Sequence, residues 1–300
     1  MIKTLKEKNL TVHLSALAAM FIWGVSYIWM KQLFDHMQPA TILFYRLIIS
    51  AIFLYIMLII SGKREVIQLK HIPYFLLSAL FNPFLYFMGE SHGLQLVSPT
   101  ISAVIIGTIP VFTPFFAWLV LREKLSSLNL FGLMVSFAGI LIMLITKDFS
   151  LSADPMGVLF LFGAVASAII YGILLKKLTL LYHALTIVWI QNLIGIFYFL
   201  PVALIKEYDS FSQVSFSVDV LLPMVFLGVF SSSLAFVLFT TSVKHLGIAR
   251  ANIYTNMIPV FTAFFSILLL ADQPGLKQWS GMLLVIAGVV LSQKRKHSLV

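Results

Sequence analysis

The chain has no cysteine in its 300 residues. Disulfides, thiolate metal sites and cysteine nucleophiles are therefore excluded together. Charge is scarce as well. Only 10% of residues are charged, against about a quarter in a soluble domain. No P-loop, no H-E-x-x-H and no paired intramembrane aspartates occur, so ATP-driven pumping is not encoded. His13, His36, His71, His183, His245 and His297 are scattered near the ends of apolar runs, and none makes a metal-ligand spacing. No cofactor is expected. What the chain has instead is apolar surface: 60% of it is hydrophobic, and mean hydropathy is +1.02. A folded chain of this length still exposes roughly a quarter of its unfolded surface. So much apolar surface requires lipid as the solvent.

Apolar runs of about 20 residues cross a bilayer core of about 30 Å. Ten such runs lie near 11–34, 39–61, 72–92, 98–121, 127–146, 156–176, 182–205, 219–243, 247–271 and 276–293. They predict ten transmembrane helices joined by very short loops, with no room for a soluble domain. The runs lack the alternation of a membrane β-barrel. The first run is too long for a signal-peptide core, and no small-residue cleavage site follows it.

Basic residues set the orientation. With the N-terminus inside, fifteen fall on inner segments: Lys3, Lys6, Lys8, Lys63, Arg64, Lys70, Arg122, Lys124, Lys176, Lys177, Lys244, Arg250, Lys294, Arg295 and Lys296. Four fall outside, at Lys31, Lys147, Lys206 and Lys277, and Arg46 lies within a run. This bias over short loops predicts ten spans with both termini cytoplasmic. It also accounts for the net charge of +9 without nucleic acid. The expected setting is multi-pass in a bacterial inner membrane.

The sequence repeats. Ile109-Pro110-Val111-Phe112-Thr113 recurs as Ile258-Pro259-Val260-Phe261-Thr262, 149 positions later. At that offset 12 of the 34 residues from 109 to 142 are identical, including Gly132 with Gly281 and Gly139 with Gly288. Earlier in each half the offset is 145, pairing Thr41-Ile42 with Thr186-Ile187. Two five-helix units follow, 1–149 and 150–300. Five is odd, so the second unit must enter from the opposite side. Inverted repeats of this kind are a signature of secondary transporters, because exchanging the conformations of the halves opens a central site to either face.

The pieces Trp23-Gly24, Arg46 and Pro110…Leu121-Arg122-Glu123-Lys124-Leu125…Gly132…Gly139, repeated more weakly as Pro259…Asp272…Gly281…Gly288, resemble the drug/metabolite transporter superfamily in its ten-helix EamA-like form. Ala271-Asp272-Gln273-Pro274 departs from that pattern at the acidic position. The resemblance implies export or exchange of small metabolites, often amino acids and relatives, across the lipid bilayer.

The polar residues inside the runs are the candidate site. Arg46 sits about seven residues into the second run, where a cation must face a cavity or snorkel to headgroups. Facing a cavity, its planar fork suits a substrate carboxylate or phosphate. Its repeat partner is Gln191, next to Asn192. Glu90, near the outer end of the third run, is the candidate for proton coupling or amine recognition, or for an ion pair with Arg46. Asn82-Pro83 interrupts the same helix and frees a carbonyl. Trp23, Tyr27 and Tyr86 supply aromatic surface; Trp23 and Tyr27 are the best candidates to line a pathway. Asn252, Tyr254 and Asn256 form a polar patch early in the ninth run, suited to helix–helix hydrogen bonding. Gly132, Ser136 and Gly139 make a small-residue face for close packing.

Gly89-Glu90-Ser91-His92-Gly93 fits G-x-S-x-G. A nucleophile elbow needs a strand before the turn, and an apolar run precedes this one. The sequence therefore predicts no enzyme. It predicts a secondary transporter that exports a small polar metabolite by alternating access. An uncoupled facilitator or channel of the same fold is the nearest alternative; an intramembrane hydrolase is a remote one.

Overall fold

A computed structural model describes residues 2–113, 127–144, 153–271 and 274–293, and among them all regular secondary structure is helical. In chain order the principal helices are α1 (Ile2–Leu33), α2 (Pro39–Ser61), α3 (Leu69–Leu96), α4 (Pro99–Thr113), α5 (Ser127–Leu144), α6 (Pro155–Thr179), α7 (Ala184–Lys206), α8 (Val218–Leu246), α9 (Arg250–Leu270) and α10 (Leu276–Gln293). Seven are long and apolar enough to cross a membrane: α1, α2, α3, α6, α7, α8 and α9. α4, α5 and α10 are shorter apolar helices in the places of the other three runs. The fourth run continues into residues 114–126, and Pro114, Arg122, Glu123 and Lys124 lie outside the described residues, as does Asp272.

Local chemistry fixes the helix ends. α2, α4 and α6 start on proline, whose fixed φ suits the first turn. Ser98 and Asp154 cap two of these starts, Ser98 Oγ accepting from Ile101 N at 3.3 Å and Asp154 Oδ1 from Met156 N at 2.7 Å. α2 stops at Gly62, whose φ of +64° continues the chain in the left-handed region. Between α7 and α8 the longest connection folds a short helix, Tyr208–Ser212. Large apolar side chains such as Phe197, Leu222, Leu268 and Leu283 stand exposed on the outer surface, as lipid requires.

The packing pairs the two halves. α5 packs along α10 and α2 along α7, while α1 meets α8 and α9 and α6 meets α3 and α4. Under the sequence repeat each of these contacts maps onto itself or onto another. The α5–α10 seam is made by the predicted small-residue face. A Cβ on Gly139 would stand 2.6 Å from the Gly281 carbonyl oxygen, and one on Gly288 would stand 2.6 Å from that of Gly132. Between them Ser136 Oγ donates to Val285 O at 3.0 Å, and residues 136 and 285 are repeat partners.

Two helices are broken at matching places. α3 widens into a π-helical segment over Leu80–Leu85, where Asn82 leaves helical geometry (φ −149°, ψ 119°) before a cis bond to Pro83. α8 has a π-helical segment over Leu227–Ala235 with no proline in it. Its sequence, with Gly228 and three serines in a row, offers the backbone side-chain alternatives to regular helix bonds. The proline reading located the first break and not the second.

Candidate functional site

The broken segments of α3 and α8 face a central cavity. Its water-accessible volume is about 70 Å³. Trp23, Ser26, Tyr27, Arg46, Asn82, Tyr86, Phe87 and Glu90 line it from the first half, with Ile106 and Ile109. Ala168, Tyr171, Ser231, Phe236, Phe239, Asn252, Thr255 and Ile258 line it from the second.

Arg46 does not snorkel. It is 3% exposed and held by the π-helical serines of α8. Its Nε donates to Ser232 Oγ, its Nη2 to Ser231 Oγ at 3.0 Å, and its Cζ lies 4.3 Å from the centre of the Phe87 ring. Nη1 takes no hydrogen bond among the described residues. Trp23 strengthens the same wall: Nε1 donates to Ser231 O at 3.2 Å, and the indole packs edge-on against Phe236 at 4.9 Å.

Glu90 is not a solvated helix-end carboxylate. It lines the cavity, and Oε1 accepts from Tyr27 OH and Tyr86 OH, each at 2.7 Å. Both hydroxyls converge on one oxygen, which leaves Oε2 without a protein donor among the described residues. No ion pair joins Arg46 to Glu90. The direct pairing considered from the sequence is replaced by hydroxyl shells around each charge. The cavity lining therefore holds one cationic and one anionic side chain.

Other predicted residues fall elsewhere. Asn82 and Tyr86 line the cavity, whereas Gln191, Asn192 and Asn256 are buried outside its lining. Gln191 joins Ser78 and the cavity residue Tyr171, whose OH donates to its Oε1 at 3.2 Å. Asn192 Nδ2 donates to Ser232 O at 2.9 Å and to Ser50 Oγ at 2.6 Å. It thereby fixes the backbone that presents Ser232 to Arg46. Asn256 Oδ1 has no hydrogen-bond partner among the described residues, and Tyr254 OH meets His13 Nδ1 at 2.5 Å. The sequence reading missed Ser231, Tyr171, Phe236 and Asn252 as lining residues. The serine triplet in an apolar run was an available signal for Ser231, and Asn252 had been noted only for helix–helix hydrogen bonding.

The G-x-S-x-G segment lies inside the helical second part of α3, with Ser91 buried. Its glycines are a packing surface. A Cβ on Gly89 would stand 2.7 Å from the Phe160 carbonyl oxygen, and one on Gly93 3.0 Å from that of Gly157, so α3 and α6 touch backbone to backbone.

The fold and site define a membrane-embedded helical protein with a buried, charged and aromatic cavity between matching halves. The chain belongs to the EamA-like transporter family, which matches it twice, over residues 10–145 and 155–293. It is 25% identical over 294 residues to an uncharacterized transporter of Archaeoglobus fulgidus, covering 96% of this chain and 99% of that one. It is 25% identical to the uncharacterized transporter YvbV of Bacillus subtilis, covering 90% and 87%. The uncharacterized inner membrane transporter YhbE of Escherichia coli is 31% identical over 175 residues, 55% of this chain and 54% of that one. A crystal structure sharing 14% identity superposes with a TM-score of 0.69, covering 94% and 97% of the two chains, which shows a common fold. The protein is a multi-pass membrane transporter.

Proposed function

We propose that the protein is a secondary active transporter that exports a small zwitterionic metabolite, an amino acid or a relative, by alternating access. One observation carries this: Arg46 with a free guanidinium edge and Glu90 with a free carboxylate oxygen share one cavity built from both halves. Leaving either charge unpaired in such a site is costly, and a ligand bearing both a carboxylate and an ammonium relieves both costs. The aromatic wall suits an apolar body and can face a cation.

Ten crossings, inverted units over 1–149 and 150–300, cytoplasmic termini and a bacterial inner membrane complete the proposal. The pairing of α5 with α10 and of α2 with α7 supports it, since equivalent helices meet antiparallel, as inversion requires. Proton coupling is assigned to Glu90, where a proton and a substrate ammonium compete for the same oxygens. Glu90→Gln is expected to weaken exchange of the zwitterion and to flatten the pH dependence of the exchange that remains. An unchanged pH profile for the variant in proteoliposomes would remove the coupling role.

The substrate class is tested by untargeted mass spectrometry of growth medium. Cells expressing the protein are compared with cells expressing Arg46→Ala at equal membrane abundance. Enrichment of zwitterionic metabolites by the unmodified protein alone is expected. Enrichment of uncharged or purely anionic compounds would contradict the assignment.

A further inference from the structure

α2 and α7 lie side by side as repeat partners, so each helix start sits beside the other's end. α2 lacks a cap of its own, because the Gln38 side chain makes no capping bond. Glu207, the residue after α7, supplies one. Its Oε1 accepts from Ala40 N at 3.0 Å, and its Oε2 accepts from Thr41 N at 2.8 Å and Thr41 Oγ1 at 2.9 Å. Ser210 Oγ adds Gln38 N at 2.8 Å. A carboxylate at a helix start satisfies free N–H groups and complements the helix dipole.

On the opposite face the same arrangement is half made. Among the described residues Glu65, beyond the end of α2, accepts only from His183 N, at 2.8 Å. The repeat partner of Thr41 is Thr186, and Thr186 Oγ1 is buried with no hydrogen-bond partner among the described residues. Leu185 N, the counterpart of Ala40 N, is taken by His183 Nδ1 at 3.4 Å instead.

We propose that Glu207 and Glu65 are alternating latches of the transport cycle. The Glu207 latch is closed on Thr41 in this state. In the opposite state Glu65 closes on Thr186 and Glu207 releases Thr41. The inference rests on the alternating-access reading above. It adds the residues that hold each end state, and the orphaned Thr186 hydroxyl is the contact that only the second state completes.

The cysteine-free chain allows a test without knowing the substrate. Ala168→Cys places one thiol in the cavity wall. Its labelling by a membrane-impermeant maleimide is measured from each face, in right-side-out and inside-out vesicles. Adding Thr41→Val weakens the closed latch and is expected to raise labelling from the Glu207 face about tenfold, the scale of one charge-assisted hydrogen bond. Adding Thr186→Val deletes the other latch and is expected to lower it about tenfold. The two variants are the same conservative change at repeat partners, so a role in stability alone predicts no opposition between them. Shifts in the same direction, or none beyond about twofold, overturn the latches. Labelling equal from both faces in every chain, or absent from both, overturns alternating access itself.

Discussion

Arg46→Ala is expected to lower uptake of a labelled amino-acid mixture by proteoliposomes about 100-fold, with the protein still folded. Truncating one partner of a desolvated, charge-assisted contact costs about 2–5 kcal/mol, and 100-fold corresponds to about 2.7 kcal/mol. The fold survives because Arg46 is held by hydroxyls, not by a buried carboxylate. Its loss leaves Ser231 and Ser232 free to bond each other or water, and Trp23 keeps its bond to Ser231 O. Arg46→Lys keeps the charge but cannot serve two serines and a ligand with one planar fork. It should recover only part of the loss. Uptake unchanged by Arg46→Ala, with equal protein in the vesicles, places the anionic anchor elsewhere.

Gly139→Val carries the largest expected effect on stability, about 3 kcal/mol, the upper end for overpacking. The added Cβ would stand 2.6 Å from the Gly281 carbonyl oxygen and 2.8 Å from Val285 N. Both are backbone atoms of α10, so the helix must move as a whole and the Ser136–Val285 bond goes with it. Gly163→Val is the matched control, because a Cβ there meets nothing within 4 Å. Thermal unfolding followed by size exclusion in detergent should show a large drop in Tm for Gly139→Val and little change for Gly163→Val. Equal Tm values for the two would mean that the α5–α10 seam does not hold the halves together.

Much of this was legible in the sequence, for identifiable reasons. The ten apolar runs mark every principal helix among the described residues, and seven of those helices are long and apolar enough to cross a bilayer core. Arg46, Glu90, Trp23, Tyr27, Tyr86 and Asn82 were singled out and all line the cavity. A charged group inside an apolar run has few places to go but a cavity, and Asn82 precedes the proline that breaks α3. Gln191 and Asn192 misled because polarity alone cannot distinguish lining a cavity from buttressing it. They hold Tyr171 and Ser232 instead. The break in α8 was hidden because no proline marks it. The capping of α2 by Glu207 was also hidden, since it joins residues far apart in the chain that only the packing of α2 against α7 brings together. G-x-S-x-G shows the converse failure. Its spacing is that of a nucleophile motif, but on a membrane helix the same spacing places two glycines on one face for close packing.

The most direct test of the central claim is counterflow in proteoliposomes. Vesicles carrying the purified protein are loaded with an unlabelled amino-acid mixture, and entry of the labelled mixture from outside is followed. Alternating access predicts that a loaded lumen accelerates labelled entry well beyond that into empty vesicles, that entry saturates, and that Arg46→Ala abolishes the acceleration. Labelled entry that is linear in concentration and indifferent to the lumen contents would contradict the account, and would make the protein a channel built on a transporter fold.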